Sequence, residues 1–234
     1  MTQPAPVIAV DGPSGAGKGT ISHMLADRLG WHLLDSGALY RVTAYACLLE
    51  GVHWEDAEAV ARVARHLEVE FRASAAGEIF VDYRGEDVSA AIRTEDGGRG
   101  ASTVAAFPAV REALLLRQRE LRKAPGLVAD GRDMGTVVFP DAGLKIFLTA
   151  SADERAERRY KQLMAKGESV SLPRLLQDIQ ERDERDASRD VSPLVPAEDA
   201  IVIDSTARSI ADVFEQVMQE VTERRFDRDS GCSL

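Results

Sequence analysis

The stretch Val7-Ile8-Ala9-Val10-Asp11-Gly12-Pro13-Ser14-Gly15-Ala16-Gly17-Lys18-Gly19-Thr20 constrains this chain more than any other. Residues 7–10 are apolar, mostly β-branched and free of charge, the mark of a short strand buried on both faces. From Lys18 onward Ile21, Leu25 and Leu29 recur at spacings of four, which predicts a helix with one apolar face. Between strand and helix the pattern G-x-x-x-x-G-K runs from Gly12 to Gly17 and Lys18. Glycine lets successive backbone N–H groups turn inward with no Cβ in the way, so such a turn can cradle phosphate oxygens. The helix N-terminus adds its dipole, and a lysine here reaches the outer phosphates of a nucleotide. Gly12, Pro13, Ser14, Gly15, Ala16, Gly17, Lys18, Gly19 and Thr20 are therefore the candidate phosphate-binding residues. The general pattern places Ser or Thr directly after the lysine. Gly19 stands there and Thr20 follows, which makes Thr20 the candidate on the metal side.

The rest of the chain repeats the strand-then-helix rhythm. Short apolar runs at 31–35, 127–131, 145–149 and 200–204 read as further buried strands. Helical patterns follow Ser36-Gly37 and cover 55–66, 94–107, 108–123, 152–165, 173–190 and 210–221, with Pro108 suited to a first helical turn. The alternation predicts an α/β fold, a parallel sheet covered by helices on both faces. Ligands in such sheets gather at the C-terminal strand ends. Those ends carry Asp11-Gly12, Asp35-Ser36, Asp130-Gly131-Arg132-Asp133 and Asp204-Ser205, and three of the four sets are expected around the phosphate loop. Residues 68–90 break the rhythm: 69–72 and 79–83 alternate apolar and polar around Gly77, which predicts an inserted antiparallel hairpin. The run Glu181-Arg182-Asp183-Glu184-Arg185-Asp186 mixes signs in the manner of a solvated helix face.

Composition narrows the partners. A net charge of −10 argues against duplex nucleic acid. Of the 29 basic residues only five are lysine, and arginine's planar fork suits a small phosphorylated ligand. The two cysteines, Cys47 and Cys232, make no disulfide framework and fit a reducing cytosol. Residues 1–6 carry no signal-peptide pattern, and no run approaches the ~20 apolar residues of a membrane span. A cytoplasmic monomer acting on small molecules is the expectation. The four histidines have no zinc-like spacing, and Trp31 and Trp54 read as packing residues.

With these motifs placed, the chain resembles the bacterial cytidylate kinases. The resemblance is carried by IAVDGPSGAGKGT (8–20), WHLLDSGALYR (31–41), VAAFPAVREALLLRQR (104–119), ADGRDMGTVVFPDAGLKIFL (129–148), ERDERDASR (181–189) and PLVPAEDAIVIDS (193–205). It spans nearly all of the chain except about the last ten residues. The G-K-G-T ending of the loop is the form seen in nucleoside monophosphate kinases. The resemblance implies a P-loop NTPase-type sheet, a single kinase domain over 1–234, and transfer of the γ-phosphoryl of ATP to CMP or dCMP with Mg²⁺. It implies that Lys18, Arg132 and Arg189 are catalytic. Ser36 and Arg41 match positions near the acceptor, with Arg41 on its phosphate. Ser102, Arg111 and Asp133 match those that read the cytosine edge, and Arg132 matches a phosphate contact. Arg182, Asp186 and Arg189 match ribose and phosphate contacts. Residues 68–90 correspond to an enlarged monophosphate-binding module, and 155–170, with Arg155, Arg158 and Arg159, to an Arg-rich lid. Residues 225–234 are expected to be a disordered tail.

The chemistry of the residues agrees. A carboxylate paired with an arginine complements the donor amine and acceptor atoms of cytosine, and a wrong base would leave buried polar groups unpaired. A phosphate nucleophile is largely ionised at neutral pH, so catalysis reduces to positioning and electrostatics from Lys18, arginines and Mg²⁺. Asp35 and Asp130 are further candidates to bind Mg²⁺ through its waters. The alternatives are a P-loop kinase for another acceptor, which needs a different base-reading set, and a GTP-binding switch. The switch would read guanine with an Asn-Lys-x-Asp element, and this sequence contains no asparagine.

Overall fold

The computed structural model describes residues 4–73, 79–189, 191–224 and 226. The chain forms two compact units, one built from Met1–Leu34 and Arg119–Leu234, the other from Asp35–Gln118. The expected turn at Gly77, the tail over 227–234 and Cys232 lie outside the described residues.

In the first unit the chain runs β1 (Val7–Asp11), α1 (Lys18–Leu29) and β2 (His32–Asp35). It crosses the second unit as α2 (Ser36–Leu49), α3 (Ala57–Arg65), β3 (Val69–Ala73), β4 (Ile79–Tyr83), β5 (Glu86–Asp87), α4 (Ser89–Ile92), α5 (Glu95–Val104) and α6 (Pro108–Glu120). It returns as β6 (Leu127–Gly131), a π turn (Met134–Val138), β7 (Leu144–Thr149), α7 (Ala152–Ala165), α8 (Leu172–Ala187), β8 (Ile201–Asp204) and α9 (Ile210–Glu223).

Among the described residues, the first unit holds a five-stranded sheet in the order β2-β6-β1-β7-β8. β1 sits at its centre and pairs in parallel with both β6 and β7, and β7 pairs in parallel with β8. All five residues of β1 are buried, as an unbroken apolar run in a helix-flanked sheet should be. Ile8, Val10, Val128, Ile146 and Leu148 pack with Ile21, Leu25 and Leu29 of α1 and Val213, Val217 and Val221 of α9. Each such side chain contributes roughly 1.5–3 kcal/mol by leaving water. Serine caps start α7 and α9: Ser151 Oγ accepts from Glu154 N at 3.2 Å, and Ser209 and Asp212 form a reciprocal capping box on α9. Trp31 is a packing residue, edge-on to Phe226 with ring centroids 5.7 Å apart.

The second unit is built on α2 packed along α5. Gly100 permits the close approach, since a Cβ there would meet the Trp54 ring at 2.6 Å and Ala44 Cβ at 2.9 Å. Trp54 Nε1 donates to Ala44 O at 2.9 Å, so this tryptophan also packs. The alternating stretches form the expected antiparallel pair, β3 and β4, with Phe71 opposite Val81, and β5 adds a third strand that the alternation did not announce. Burial pushes the Cys47 thiol up to about 11.

Two expectations differ in detail. α8 ends at Ala187, where Ser188 N donates to Glu184 O. Its mixed-sign run is not a solvated face: Arg182 and Asp183 are half-buried and Asp186 is buried, while Glu181, Glu184 and Arg185 face water. Charge alternation cannot show which arginines and aspartates find partners on other elements, and here they do.

Candidate active site

The glycine-rich turn is a loop from Gly12 to Gly17 that hands over to α1 at Lys18. Gly12, Gly15 and Gly17 have φ of +142°, +80° and +97°, a region that L side chains rarely enter. At Gly12 space forbids a side chain as well, because a Cβ would lie 1.9 Å from Leu148 O of β7. Gly17 caps α1 without a side chain, and no acidic residue stands in the first turn. The helix N-terminus therefore meets no capping carboxylate, which suits it to an anionic ligand. Three of the four strand ends meet this loop. Asp11 leads into it, Asp130 lies 3.9 Å from Lys18 Nζ, and Ser205 Oγ donates to Ala16 O at 3.0 Å. Gly19 and Thr20 are exposed at the start of α1.

Lys18 is buried, and its Nζ donates to Pro13 O at 3.0 Å. Burial, then the nearby Arg132 and Arg182 guanidiniums, lower its pKa to about 8 against the opposing pull of Asp130 and Asp11. Between pH 8 and 10.5 the folded protein thus binds fewer protons than the unfolded chain, so this group makes stability rise with pH in that window. Bound polyphosphate favours the charged amine. ADP affinity is therefore expected to fall as pH rises through about 8, by up to about tenfold per pH unit. An ADP titration between about pH 7 and 9.5 measures this, and a flat profile would show that Lys18 does not face phosphate.

Just past β6, Arg132 and Asp133 stand at a junction of charge. Arg132 Nε donates to Asp186 Oδ2 at 3.0 Å, and Arg189 Nη2 donates to Asp186 Oδ1. Asp186 is the hub: burial works to raise its pKa, but the Arg132, Arg189 and Arg182 guanidiniums outweigh it and hold the carboxyl below its ordinary value. Arg182 Nη1 also lies 3.5 Å from Ser14 Oγ of the loop. Asp133 is buried, and its carbonyl accepts from Val137 N and Val138 N as the π turn begins. The structure thus gathers Lys18, Arg132, Arg182, Asp186 and Arg189 beside the loop.

Arg155 is held differently from Arg158 and Arg159. It is buried and donates to Ala150 O, to Ser14 O of the loop, and through two nitrogens to the Asp183 carboxylate. It ties α7 and α8 to the loop. Arg158 donates to Ser205 O at 2.6 Å and to Glu154 Oε1 at 2.9 Å, and Arg159 to Gln162 Oε1 at 3.4 Å.

In the second unit Ser36 is buried at the start of α2, whose first turn is capped by Asp35 Oδ1 accepting from Ala38 N at 3.0 Å. That bond gives the Asp35 carboxylate a structural role of its own. Arg41 Nη1 donates to Ile92 O at 3.1 Å and Thr94 O at 3.3 Å, across the α4–α5 connection. Arg111 Nη1 donates to Ala105 O at 3.2 Å, and its guanidinium lies 5.6 Å from the centre of the Tyr40 ring. Ser102 is buried, and its Oγ has no hydrogen-bond partner among the described residues. An orphaned buried hydroxyl costs about 1–3 kcal/mol, which a ligand atom would relieve.

Sequence reasoning placed Asp11 at a strand end beside the loop but missed what its side chain holds. It is buried, and its carboxylate accepts from the backbone N–H groups of Met134 and Gly135, both at 2.8 Å. A lone acidic residue before a glycine-rich turn carries no signal of partners more than a hundred residues away. Among the described residues, no group of three or more His, Cys, Asp or Glu side chains could hold a metal ion. No helix among them is long and apolar enough to cross a membrane.

In a comparison with known proteins, the fold is similar to that of an uncharacterized protein from Eubacterium ventriosum, with TM-score 0.50, 9% identity and 93% and 98% of the two chains covered. The chain is 59% identical over 225 residues to the cytidylate kinase of Stutzerimonas stutzeri, covering 96% of this chain and 98% of that one. It is 61% identical over 221 residues to the cytidylate kinase of Pseudomonas savastanoi pv. phaseolicola, covering 94% and 96%. The family profile described as cytidylate kinase matches residues 8–223, from β1 to the last residue of α9. The chain belongs to the cytidylate kinase family.

Proposed function

We propose that this protein transfers the γ-phosphoryl group of ATP to CMP or dCMP, giving ADP and CDP or dCDP. The observation that carries this reading is the near full-length identity to cytidylate kinases, with the phosphate loop and its lysine intact within the match. To ATP we assign the loop residues 12–20, with Lys18 the principal charge. Of these, Lys18 is buried against the loop, and the first turn of α1 carries no acidic residue of its own.

To the acceptor we assign Ser36, Arg41, Ser102 and Arg111 of the second unit, and Arg132, Asp133, Arg182, Asp186 and Arg189 of the first. Ser102, Arg111 and Asp133 supply the hydroxyl, cation and carboxylate that a cytosine edge needs. Asp186 holds Arg132 and Arg189 in fixed positions, so their charge needs no reorganisation when the phosphoryl group moves. An acceptor phosphate oxygen forms the new bond to the γ-phosphorus, and the bond to the ADP oxygen breaks. Lys18, Arg132 and Arg189 are assigned to the charge that spreads over the transferred group.

Mg²⁺, when bound, would neutralise phosphate charge and align the transferred group. Thr20 offers an exposed hydroxyl one residue beyond Gly19. A site with few protein ligands suits an ion that keeps several waters. We further propose a lid over 155–170, with Arg155 its anchored end and Arg158 and Arg159 the arginines it carries.

The test is ADP formation from Mg-ATP with CMP, dCMP, UMP, AMP and GMP in turn, on wild type and Asp133→Ala. Turnover is expected with CMP and dCMP. The variant is expected to raise the CMP KM by about 100-fold, because one missing charged hydrogen bond leaves a polar base edge unpaired. Fast turnover with UMP or AMP alone would retain the kinase and sink the base-reading set.

A further inference from the structure

Asp11 is a buried carboxylate that the reaction as derived does not use. It ends β1, opposite Gly131 of β6, and its main chain runs directly into Gly12 of the phosphate loop. Its side chain turns the other way. Oδ1 accepts from Met134 N and Oδ2 from Gly135 N, each at 2.8 Å, so both oxygens bind the first two amides of the π turn. Those amides immediately follow Arg132 and Asp133. At the far end of the same turn, Arg119 Nε donates to Val138 O at 2.9 Å and Nη2 to Val137 O at 3.0 Å. The turn is thus held by an anion at its N-terminal amides and a cation at its C-terminal carbonyls, as its dipole favours.

We propose that Asp11 is a positioning residue, and that with Arg119 it clamps the π turn so that Asp133 is held at a fixed height against the phosphate loop. The proposal rests on the assignment of Asp133 to the acceptor base. Two adjacent N–H donors need two acceptor oxygens, and only a carboxylate on a short stem supplies both; asparagine would turn an amide N–H toward one of them. The site also leaves no room to slacken. A Cβ on Gly135 would lie 3.1 Å from Lys145 Cδ and 3.4 Å from Asp11 Oδ2, so the turn packs directly on the carboxylate. The cost of keeping the charge is visible: burial raises the Asp11 carboxyl to about 7, although the two amides and Lys18 pull it down; Asp133 adds to the rise. A group merely filling space would be cheaper as an apolar residue.

The experiment compares Asp11→Asn, Arg119→Gln and Asp133→Ala with wild type in the full chain. It reads amide exchange at Met134 and Gly135, the CMP KM, kcat and the ADP Kd. Asp11→Asn is expected to lose protection at both amides and to raise the CMP KM by about tenfold or more, because small misplacements at a reading group are costly. The ADP Kd should stay within about twofold, since the loop keeps its own glycines and lysine. Arg119→Gln, at an exposed residue, should move the CMP KM the same way by about threefold, which keeps the test intact if Asp11→Asn does not fold. An unchanged CMP KM in a folded Asp11→Asn, or in Arg119→Gln alone, overturns the proposal. So does a weakened ADP Kd with unchanged CMP KM, which would make Asp11 a loop residue only. If Asp133→Ala itself leaves the CMP KM unchanged, the base assignment fails and the proposal falls with it, while the amide exchange still reports whether the clamp exists.

Discussion

Lys18→Met is expected to lower kcat by about 10³-fold or more while leaving the fold intact, since a fixed cation on a transferring phosphoryl group commonly contributes that much. The methionine matches the length of the lysine stem and removes the charge together with its hydrogen bond to Pro13 O. In the unliganded protein that charge is a burden: burial and the Arg132 and Arg182 guanidiniums already depress its pKa to about 8. The variant should therefore melt no lower than wild type, and the fall in activity cannot be blamed on unfolding. Single-turnover ADP formation measures the chemical step directly. A kcat within about tenfold of wild type would remove Lys18 from the transition state and leave it as a strut on Pro13 O.

Asp186→Ala should have the largest effect on stability. The carboxylate is almost wholly buried and holds Arg132 and Arg189 at once, so its removal takes the countercharge from two guanidiniums with little access to water. Breaking a buried pair in this way costs about 3–5 kcal/mol. The same change should reduce kcat/KM for CMP, because Arg132 and Arg189 lose the anchor that fixes them. Acid dependence gives a second readout. The Asp186 carboxyl sits below its ordinary 3.8 in the folded state, so its stabilisation is complete above that value and is lost as pH falls through the folded one. The variant should lack that part of the acid transition. Urea melts at about pH 7 and at acid pH would test both points, and a loss below about 1 kcal/mol would make the hub a surface-like pair.

Much of the fold was legible because local periodicity reports burial. The apolar runs at β1, β6 and β7 are too short for buried helices and end in turn residues, which marks them as buried strands, and the alternation at 69–72 and 79–83 marks a hairpin. The loop was legible for a different reason: its glycines are demanded by backbone angles and by the Leu148 carbonyl, and they stand at fixed spacings in one contiguous motif. The charged groups were less so. The run 181–186 has the period of a solvated helix, and nothing in it says that Asp183 meets Arg155 or that Asp186 meets Arg132.

Contiguous stretches of the chain were thus enough for the five strands of the larger sheet, the longer helices, the glycine-rich loop and the family, while β5, α4 and the π turn left no such signal. The legible features depend on interactions between residues a few positions apart, or on motifs contiguous in the chain. Which charges work together depended on the folded arrangement. Asp11 reaches Met134, Arg155 reaches Ser14, and Asp186 gathers Arg132 and Arg189. Most of these pairings join elements far apart in the chain, and the energy that fixes them, burial of a charge against a specific partner, exists only once the sheet has brought those elements together.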